Sequence, residues 1–172
     1  MADVLLLGDP RLRVRSDEVT VFDPHAFAEL AATLDAFRRQ HGFGRAISAP
    51  QIGIPQRFIA VNLGRAPFFV VNPVITWRSD ETFSMWDDCM SFPGLLVRLE
   101  RARSLSLAYV DEHGERKQWQ ELDIAAAELL QHEIDHLDGV LAVDRAQELV
   151  VRTEYERNRS YFDGQVDYFI GS

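Results

Sequence analysis

One motif in the sequence has residue types and a spacing that can hold a metal ion. His132, Glu133 and His136 form an H-E-x-x-H pattern. Positions i and i+4 of a helix lie on one face, so both imidazoles can converge on a single ion. Glu133 lies at the edge of that face, where it can take a proton from a water molecule. The pattern therefore predicts a metal site, rather than two histidines that merely edge an amphipathic helix.

Two histidines leave the metal without a third protein ligand, and the sequence offers two kinds of candidate. One is a carboxylate further along the chain, as in many zinc proteases, for which Glu148, Glu154 and Glu156 are available. The other is Cys89, the only cysteine, whose thiolate is a strong ligand for zinc or iron(II). Because a lone cysteine is also commonly a buried structural residue, the residues by themselves leave these interpretations open.

A segment of small residues is the third feature with chemical potential. Residues 44–51 read Gly-Arg-Ala-Ile-Ser-Ala-Pro-Gln. Small side chains allow the backbone to approach a ligand, and the side chain of Gln51 can present an amide donor there. Taken alone, the segment is better described as a surface loop that contains a proline.

Helices must place these residues, and the spacing of apolar residues predicts three. The first begins after the N-cap Asp23 and ends at Gly42. The second is capped by Asp123, covers Ile124–Leu137 and carries the H-E-x-x-H motif. A third is predicted near residues 145–162. The metal motif is thus expected on a helix whose apolar stripe faces the core.

Short β-rich runs lie between the first two helices. They cover residues 57–63, 67–71 and 104–110, and a turn at residues 111–114 leads to a partner strand over residues 117–122. A short apolar tail follows over residues 166–170. Strands between helices, without regular β-α-β alternation, predict an α+β fold with antiparallel pairing.

Composition limits the classes of function. The chain has 172 residues, 47% hydrophobic and 26% charged, so we expect one folded domain over residues 1–172. A formal net charge of −9 argues against a protein that coats DNA or RNA and against binding to an anionic membrane. One cysteine excludes an internal disulfide and favours a reducing compartment. With no signal-peptide or membrane-spanning pattern in view, we expect a cytoplasmic protein.

Three segments, in this order, resemble the motifs of the peptide deformylase family. Those motifs are G-x-G-L-A-A-P-Q, E-G-C-L-S and Q-H-E-x-D-H-L, and they correspond here to residues 44–51, 87–91 and 131–137. With its flanking matches, the resemblance covers residues 8–146. It implies an α+β fold in which antiparallel sheets pack around a central helix with the H-E-x-x-H motif.

The resemblance also implies an activity and a ligand set. The family removes the formyl group from the N-terminal methionine of nascent polypeptides. Cys89, His132 and His136 are then the ligands of one divalent metal ion, usually iron(II), with zinc, nickel or cobalt also able to occupy the site. Asp135 is interpreted as a residue behind the ligands that pairs with Arg101.

Further roles follow from the same resemblance. Glu133 is the general base, while the Gln51 side chain and the Met90 backbone N–H donate hydrogen bonds to the oxyanion. Ala125 and Leu129 share a helix face with the first histidine and are expected to wall a pocket for the methionine side chain. The expected partners are N-formylated nascent peptides and, by analogy with the family, the ribosome, with neither DNA nor a membrane.

The sequence departs from the family motifs in the segments expected to meet substrate. Family members pair an extended substrate with the backbone at Gly44, Arg45 and Ala46. Here Ala46 replaces the second glycine, and Arg45 adds a charge that can meet an acidic group on a substrate or partner. Asp87 and Asp88 replace E-G and add negative charge near the metal. These departures keep two alternatives open: an amidase for another formylated or acylated substrate, and an inactive formyl-peptide binder.

Overall fold

Two long helices and nine strands form the framework of the structure, a computed structural model that describes residues 1–169. The helices are α1 (Pro24–His41), α2 (Ile124–Leu137), α3 (Arg152–Arg157) and α4 (Arg159–Asp163). The strands are β1 (Ala46–Ser48), β2 (Phe58–Val61), β3 (Phe68–Arg78), β4 (Thr82–Asp88), β5 (Leu95–Ala102), β6 (Leu105–Val110), β7 (Arg116–Trp119), β8 (Glu148–Val151) and β9 (Tyr168–Phe169). No helix among these residues is both long and apolar enough to cross a bilayer.

The strands form two sheets. The larger has the order β1-β2-β3-β6-β7, and all its neighbours are antiparallel. The smaller has the order β8-β5-β4-β9, in which only the short β4–β9 pair is parallel. Strand β1 lies at the edge of the larger sheet. The backbone groups on its side away from β2 are therefore not paired with another strand of that sheet.

Helix α2 lies between the two sheets. Every residue from Ala126 to Leu137 is buried, because apolar residues of α2 pack on the larger sheet while Gln131, His132 and Asp135 bond to the smaller one. The Gln131 amide, for example, donates to the carbonyl of Ala102 on β5 at 2.9 Å and accepts from its N–H at 3.0 Å. The predicted α+β fold, with antiparallel sheets around the central helix, is confirmed.

Local signals correctly set the ends of both long helices. The Asp23 carboxylate accepts from the His25 N–H at the start of α1, and Gly42 ends that helix with φ +75°. The Asp123 carboxylate caps α2 by accepting from the Ala126 N–H. After α2, Gly139 adopts φ +75° and passes so close to another segment that a Cβ there would lie 2.5 Å from the carbonyl oxygen of Arg13.

The prediction of a third helix over residues 145–162 is correct only for its second part, where two short helices replace a single long one. A strand, β8, occupies Glu148–Val151 and pairs with Leu95–Arg98 of β5, and only the short helices α3 and α4 follow. The predicted tail over residues 166–170 is represented by β9, and its last residue, Ile170, lies outside the described residues. Strands β4 and β5 were not predicted at all, although β4 leads directly to Cys89.

Strand β3 is longer than the predicted run over residues 67–71. It continues to Arg78 because a bulge between Val71 and Val74 accommodates Asn72, at φ +49°, and Pro73 within the strand. The Asn72 amide also bonds to both backbone groups of Val19. This irregular position explains why a proline that normally interrupts a strand does not end this one.

Candidate metal centre and active site

The three predicted ligands converge at the centre of the molecule. Cys89 follows the end of β4, and His132 and His136 face it from successive turns of α2. Cys89 Sγ lies 3.3 Å from His136 Nε2, which lies 3.2 Å from His132 Nε2. In a tetrahedral site, metal bonds of about 2.0–2.3 Å to nitrogen and sulfur place the ligand atoms about 3–4 Å from one another. The spacing of this buried thiol and the two imidazoles therefore fits a divalent metal ion.

A chain of charged side chains supports the first histidine. Asp87 accepts from His132 Nδ1 at 2.9 Å, which turns Nε2 toward the cluster, and Asp87 also accepts from Arg101 at 2.8 Å. Arg101 also donates to Asp135 at 3.2 Å, and Arg145 donates two hydrogen bonds to the same carboxylate. Burial disfavours the Asp87 charge, but His132 and Arg101 outweigh it and hold the pKa of Asp87 well below its ordinary value.

Glu133 lies beside the ligands, and one of its carboxylate oxygens has no hydrogen-bond partner among the described residues. The residue is 4% exposed, and its Oε2 is buried without a hydrogen-bond partner among residues 1–169. Burial raises the pKa of Glu133 to about 7. A carboxylate whose pKa lies near neutrality, and which faces a cavity instead of a fixed partner, is suited to accept and return a proton.

The Gln51 amide is oriented by its neighbours. Both the backbone N–H and the hydroxyl of Ser48 donate to Gln51 Oε1 at 3.0 Å, so the Nε2 group points the other way. There it donates to Ser91 Oγ at 3.1 Å and lies 3.8 Å from Cys89 Sγ. Met90, whose backbone N–H is the second expected donor, lies on the cavity wall beside the ligands. The structure therefore brings Gln51 beside the metal cluster and Met90 to the wall of the adjoining cavity.

A cavity of about 410 Å³ opens beside the ligands. Its lining residues are Arg38, Gly42, Phe43, Gly44, Arg45, Ala46, Asp87, Asp88, Cys89, Met90, Glu128, Leu129, His132 and Glu133. Leu129 therefore lines it as expected, whereas Ala125 is not among the lining residues and instead accepts a hydrogen bond from Arg45 through its carbonyl, at 3.2 Å. Gly44 and Ala46 border the cavity where the chain enters the edge strand β1.

The acidic partner of Arg45 lies within this chain. The sequence suggested an acidic group on a substrate or partner for Arg45, but its guanidinium forms an ion pair with Glu128 of α2. The negative charge of Asp88 is likewise compensated, because Arg152 donates to its carboxylate at 3.0 Å. The added charges of this sequence thus form ion pairs in and beside the cavity wall.

The alternative ligands downstream do not reach the histidines. Glu148 pairs with Arg98, and Glu154 pairs with Arg157. Glu156 is exposed. Within the described residues, the cluster able to hold a metal is formed by Cys89 and the two histidines. The zinc-protease arrangement, which needs a downstream carboxylate, therefore finds no support in the geometry.

Sequence reasoning missed two residues that position the site. Asp87 was noted as a departure from a motif, and its contact with His132 depends on the unpredicted strand β4. Ser48 was not singled out from the sequence, yet it holds Gln51. A signal for Ser48 was present, since a serine three residues before a glutamine is the pattern of a capping box.

Comparison with known proteins agrees with this geometry. A family model described as polypeptide deformylase matches residues 1–152. A peptide deformylase from Thermotoga maritima is 37% identical over 155 residues, which are 88% of this chain and 93% of that protein. A Brucella melitensis protein named peptide deformylase-like is 38% identical over 143 residues, which are 82% and 85% of the two chains.

Solved structures give the same result. The crystal structure of the Thermotoga maritima peptide deformylase has a TM-score of 0.74 at 37% identity and is matched over 86% of this chain and 99% of its own. A peptide deformylase from Synechococcus elongatus, in complex with actinonin, has a TM-score of 0.76 at 28% identity, over 94% and 86% of the two chains. By its three motifs, its fold and its relatives, the chain belongs to the polypeptide deformylase family.

Proposed function

We propose that this chain is a metal-dependent peptide deformylase that removes the N-formyl group from the N-terminal formyl-methionine of nascent polypeptides. One observation carries the proposal: Cys89, His132 and His136 converge at the wall of a cavity, beside Glu133, whose Oε2 has no hydrogen-bond partner among the described residues. A thiolate and two imidazoles suit a divalent ion, and a buried carboxylate next to them suits proton transfer. Family membership supports the same reaction.

The reaction is the hydrolysis of a formamide. When bound, the divalent ion supplies Lewis-acid chemistry that makes a water more acidic and the formyl carbonyl more electrophilic. Glu133 takes a proton from the attacking water and delivers it to the amine nitrogen as the C–N bond breaks. The products are formate and a free N-terminal amine.

Two donors face the oxygen on which negative charge develops. In our proposal these are Gln51 Nε2 and the backbone N–H of Met90, and the loss of one such donor typically lowers the rate about 10²- to 10³-fold. Ser48 holds Gln51 Oε1, so Nε2 stays directed toward Cys89 Sγ and Ser91 Oγ, beside the metal cluster. The open edge of β1, next to Gly44 and Ala46, is suited to pair with an extended peptide.

Finer assignments complete the proposal. We take iron(II) as the native metal, because the family usually uses it and a thiolate with two imidazoles accommodates it. We place the protein in the cytoplasm, where nascent chains carry formyl groups and a lone reduced cysteine persists. Contact with the ribosome is proposed by analogy with the family. Metal analysis of anaerobically purified protein tests the first of these assignments.

Replacement of Glu133 by glutamine tests the proposed function. Glutamine keeps the size of the side chain but cannot take up a proton, so formate release from a formyl-methionyl peptide should fall by about 10²-fold or more. Metal content, measured by elemental analysis, should remain near that of the wild-type protein because Glu133 is not a ligand. A metal-loaded Glu133→Gln protein with wild-type turnover would contradict the proposal.

A further inference from the structure

We propose that the Arg45–Glu128 ion pair determines which formylated residue the enzyme prefers. It favours a side chain that ends in a neutral hydrogen-bond acceptor, such as glutamine, over the methionine side chain of similar length. This inference rests on the proposed deformylase function and refines its substrate class. It concerns the wall of the cavity next to the reacting atoms rather than the chemical step.

The Arg45–Glu128 pair lies in the wall of the cavity, where the first side chain of a substrate would enter. In a formylated peptide only one nitrogen separates the formyl carbon from the Cα atom, so the first side chain begins close to the reacting carbon. The cavity that contains Cys89, His132 and Glu133 in its wall is also lined by Arg45 and Glu128. A first side chain that enters this cavity therefore meets the ion pair.

The two charged side chains of the pair differ in their exposure to solvent. The Glu128 side chain is 1% exposed, whereas that of Arg45 is 28% exposed. Arg45 donates through Nη1 to the carbonyl of Ala125 and through Nη2 to Glu128. A guanidinium has five N–H donors, so these two contacts leave further donors on the partly exposed group. Water can satisfy them until a substrate side chain displaces it.

The side chains of methionine and glutamine differ in their ability to replace the water bound to the Arg45 guanidinium. A methionine thioether is a weak acceptor. It would displace water from the guanidinium without providing an equivalent hydrogen bond. The side-chain carbonyl of glutamine, at nearly the same distance from Cα, accepts a hydrogen bond in place of the water. Sites built to hydrogen-bond a substrate group discriminate strongly against an analogue that lacks it, because their own polar groups are then left unpaired.

The surrounding charges select a neutral acceptor over an acidic one. Arg45 is already paired with Glu128, and the cavity wall carries three further carboxyl groups, those of Asp87, Asp88 and Glu133. A glutamate side chain on the substrate would add a negative charge among these groups, while an amide adds none. Glutamine therefore suits the cavity better than glutamate.

The experiment compares specificity in matched peptides. Metal-loaded protein is assayed for kcat/KM on peptides that differ only in a first residue of formyl-Gln, formyl-Met or formyl-Glu. We expect wild-type protein to favour formyl-Gln over formyl-Met. In the double variant Arg45→Leu/Glu128→Leu the Gln/Met ratio should fall by about tenfold or more. Both charges are removed together because Glu128, whose side chain is 1% exposed, would be left buried without its partner if Arg45 alone were replaced.

Two further variants complete the test. The double variant Asp35→Leu/Arg39→Leu removes an exposed ion pair on α1 in the same way and should keep the wild-type ratio. Glu128→Gln keeps the shape of the wall but leaves the Arg45 charge uncompensated, so the formyl-Glu peptide should gain about tenfold relative to formyl-Gln. Because Glu128→Gln is nearly isosteric, it also provides a test if the Leu/Leu variant does not fold.

The outcomes separate the inference from the proposed function. If wild-type protein and the Leu/Leu variant show the same Gln/Met ratio, or if Glu128→Gln leaves the Glu/Gln ratio unchanged, the inference is overturned. Formate release from formyl-Met in that case still supports the deformylase function. A metal-loaded wild-type protein inert on all three peptides overturns both.

Discussion

Asp87 joins the histidine ligand His132 to Arg101, and its contribution can be measured on metal affinity. In Asp87→Asn the hydrogen bond to Nδ1 loses its charge, so His132 becomes a weaker and less firmly oriented ligand. We expect metal affinity, measured by competition with a chelator, to fall about 10- to 100-fold. Asp88→Asn is the control, because Asp88 pairs with Arg152 instead of a ligand. Equal affinities in the two variants would contradict this role.

In the proposed reaction Ser48 contributes only by holding Gln51, so its contribution can be measured separately. Ser48→Ala removes one of the two donors that fix Gln51 Oε1, and we expect kcat to fall about tenfold, less than the loss of an oxyanion donor itself. In a Gln51→Ala background the same change should have no further effect, because the group that it positions is gone. Additive effects in this double-mutant cycle, measured by formate release, would exclude the positioning role.

At the scale of elements, the sequence predicts what is encoded locally. Helix α2 has an N-cap at Asp123, an apolar stripe and a closing glycine within one segment, so its limits were correct. Strand β8 depends on pairing with Leu95–Arg98, far away in the chain, and this pairing overrides the local helical pattern at Glu148–Val151, whereas the residues that follow are helical as predicted. The same distinction applies to the site: the H-E-x-x-H motif is visible in sequence, whereas the Arg45–Glu128 pair needs the fold.

The turn after α2 brings two backbones into contact, and Gly139 makes this possible. Gly139→Ala would place a Cβ 2.5 Å from the carbonyl oxygen of Arg13 and would also strain a residue at φ +75°. We expect a loss of about 2 kcal/mol or more in the free energy of unfolding, measured by denaturant titration.

A matched glycine separates the two causes of that loss. Gly114 has a similar φ of +79°, but the nearest atom to its added Cβ lies 3.9 Å away. Gly114→Ala should therefore lose only the part due to backbone strain, about 1 kcal/mol. Equal losses at the two positions would show that the approach to Arg13 contributes nothing.

At the scale of the whole molecule, a metal ion held by the three proposed ligands would connect the smaller sheet to the central helix. One ligand, Cys89, follows β4, while the other two belong to α2. Metal at 100 times its dissociation constant should stabilise the folded state by about 2.7 kcal/mol, so a chelator should lower Tm in anaerobic thermal denaturation. Cys89→Ala, which lacks one ligand, should show a smaller shift. An unchanged Tm on chelation of the wild-type protein would contradict metal binding at this site.

The position of α2 between two sheets also determines how the molecule exchanges its amide hydrogens with solvent. Local openings at a surface expose peripheral amides, but those near His132 are covered on both sides and become accessible only when the sheets separate. Their exchange rates should therefore report the free energy of global unfolding, while amides of the exposed hairpin between β6 and β7 exchange sooner. Any substitution that weakens either sheet will consequently shorten the lifetime of the protected helix that carries the catalytic motif.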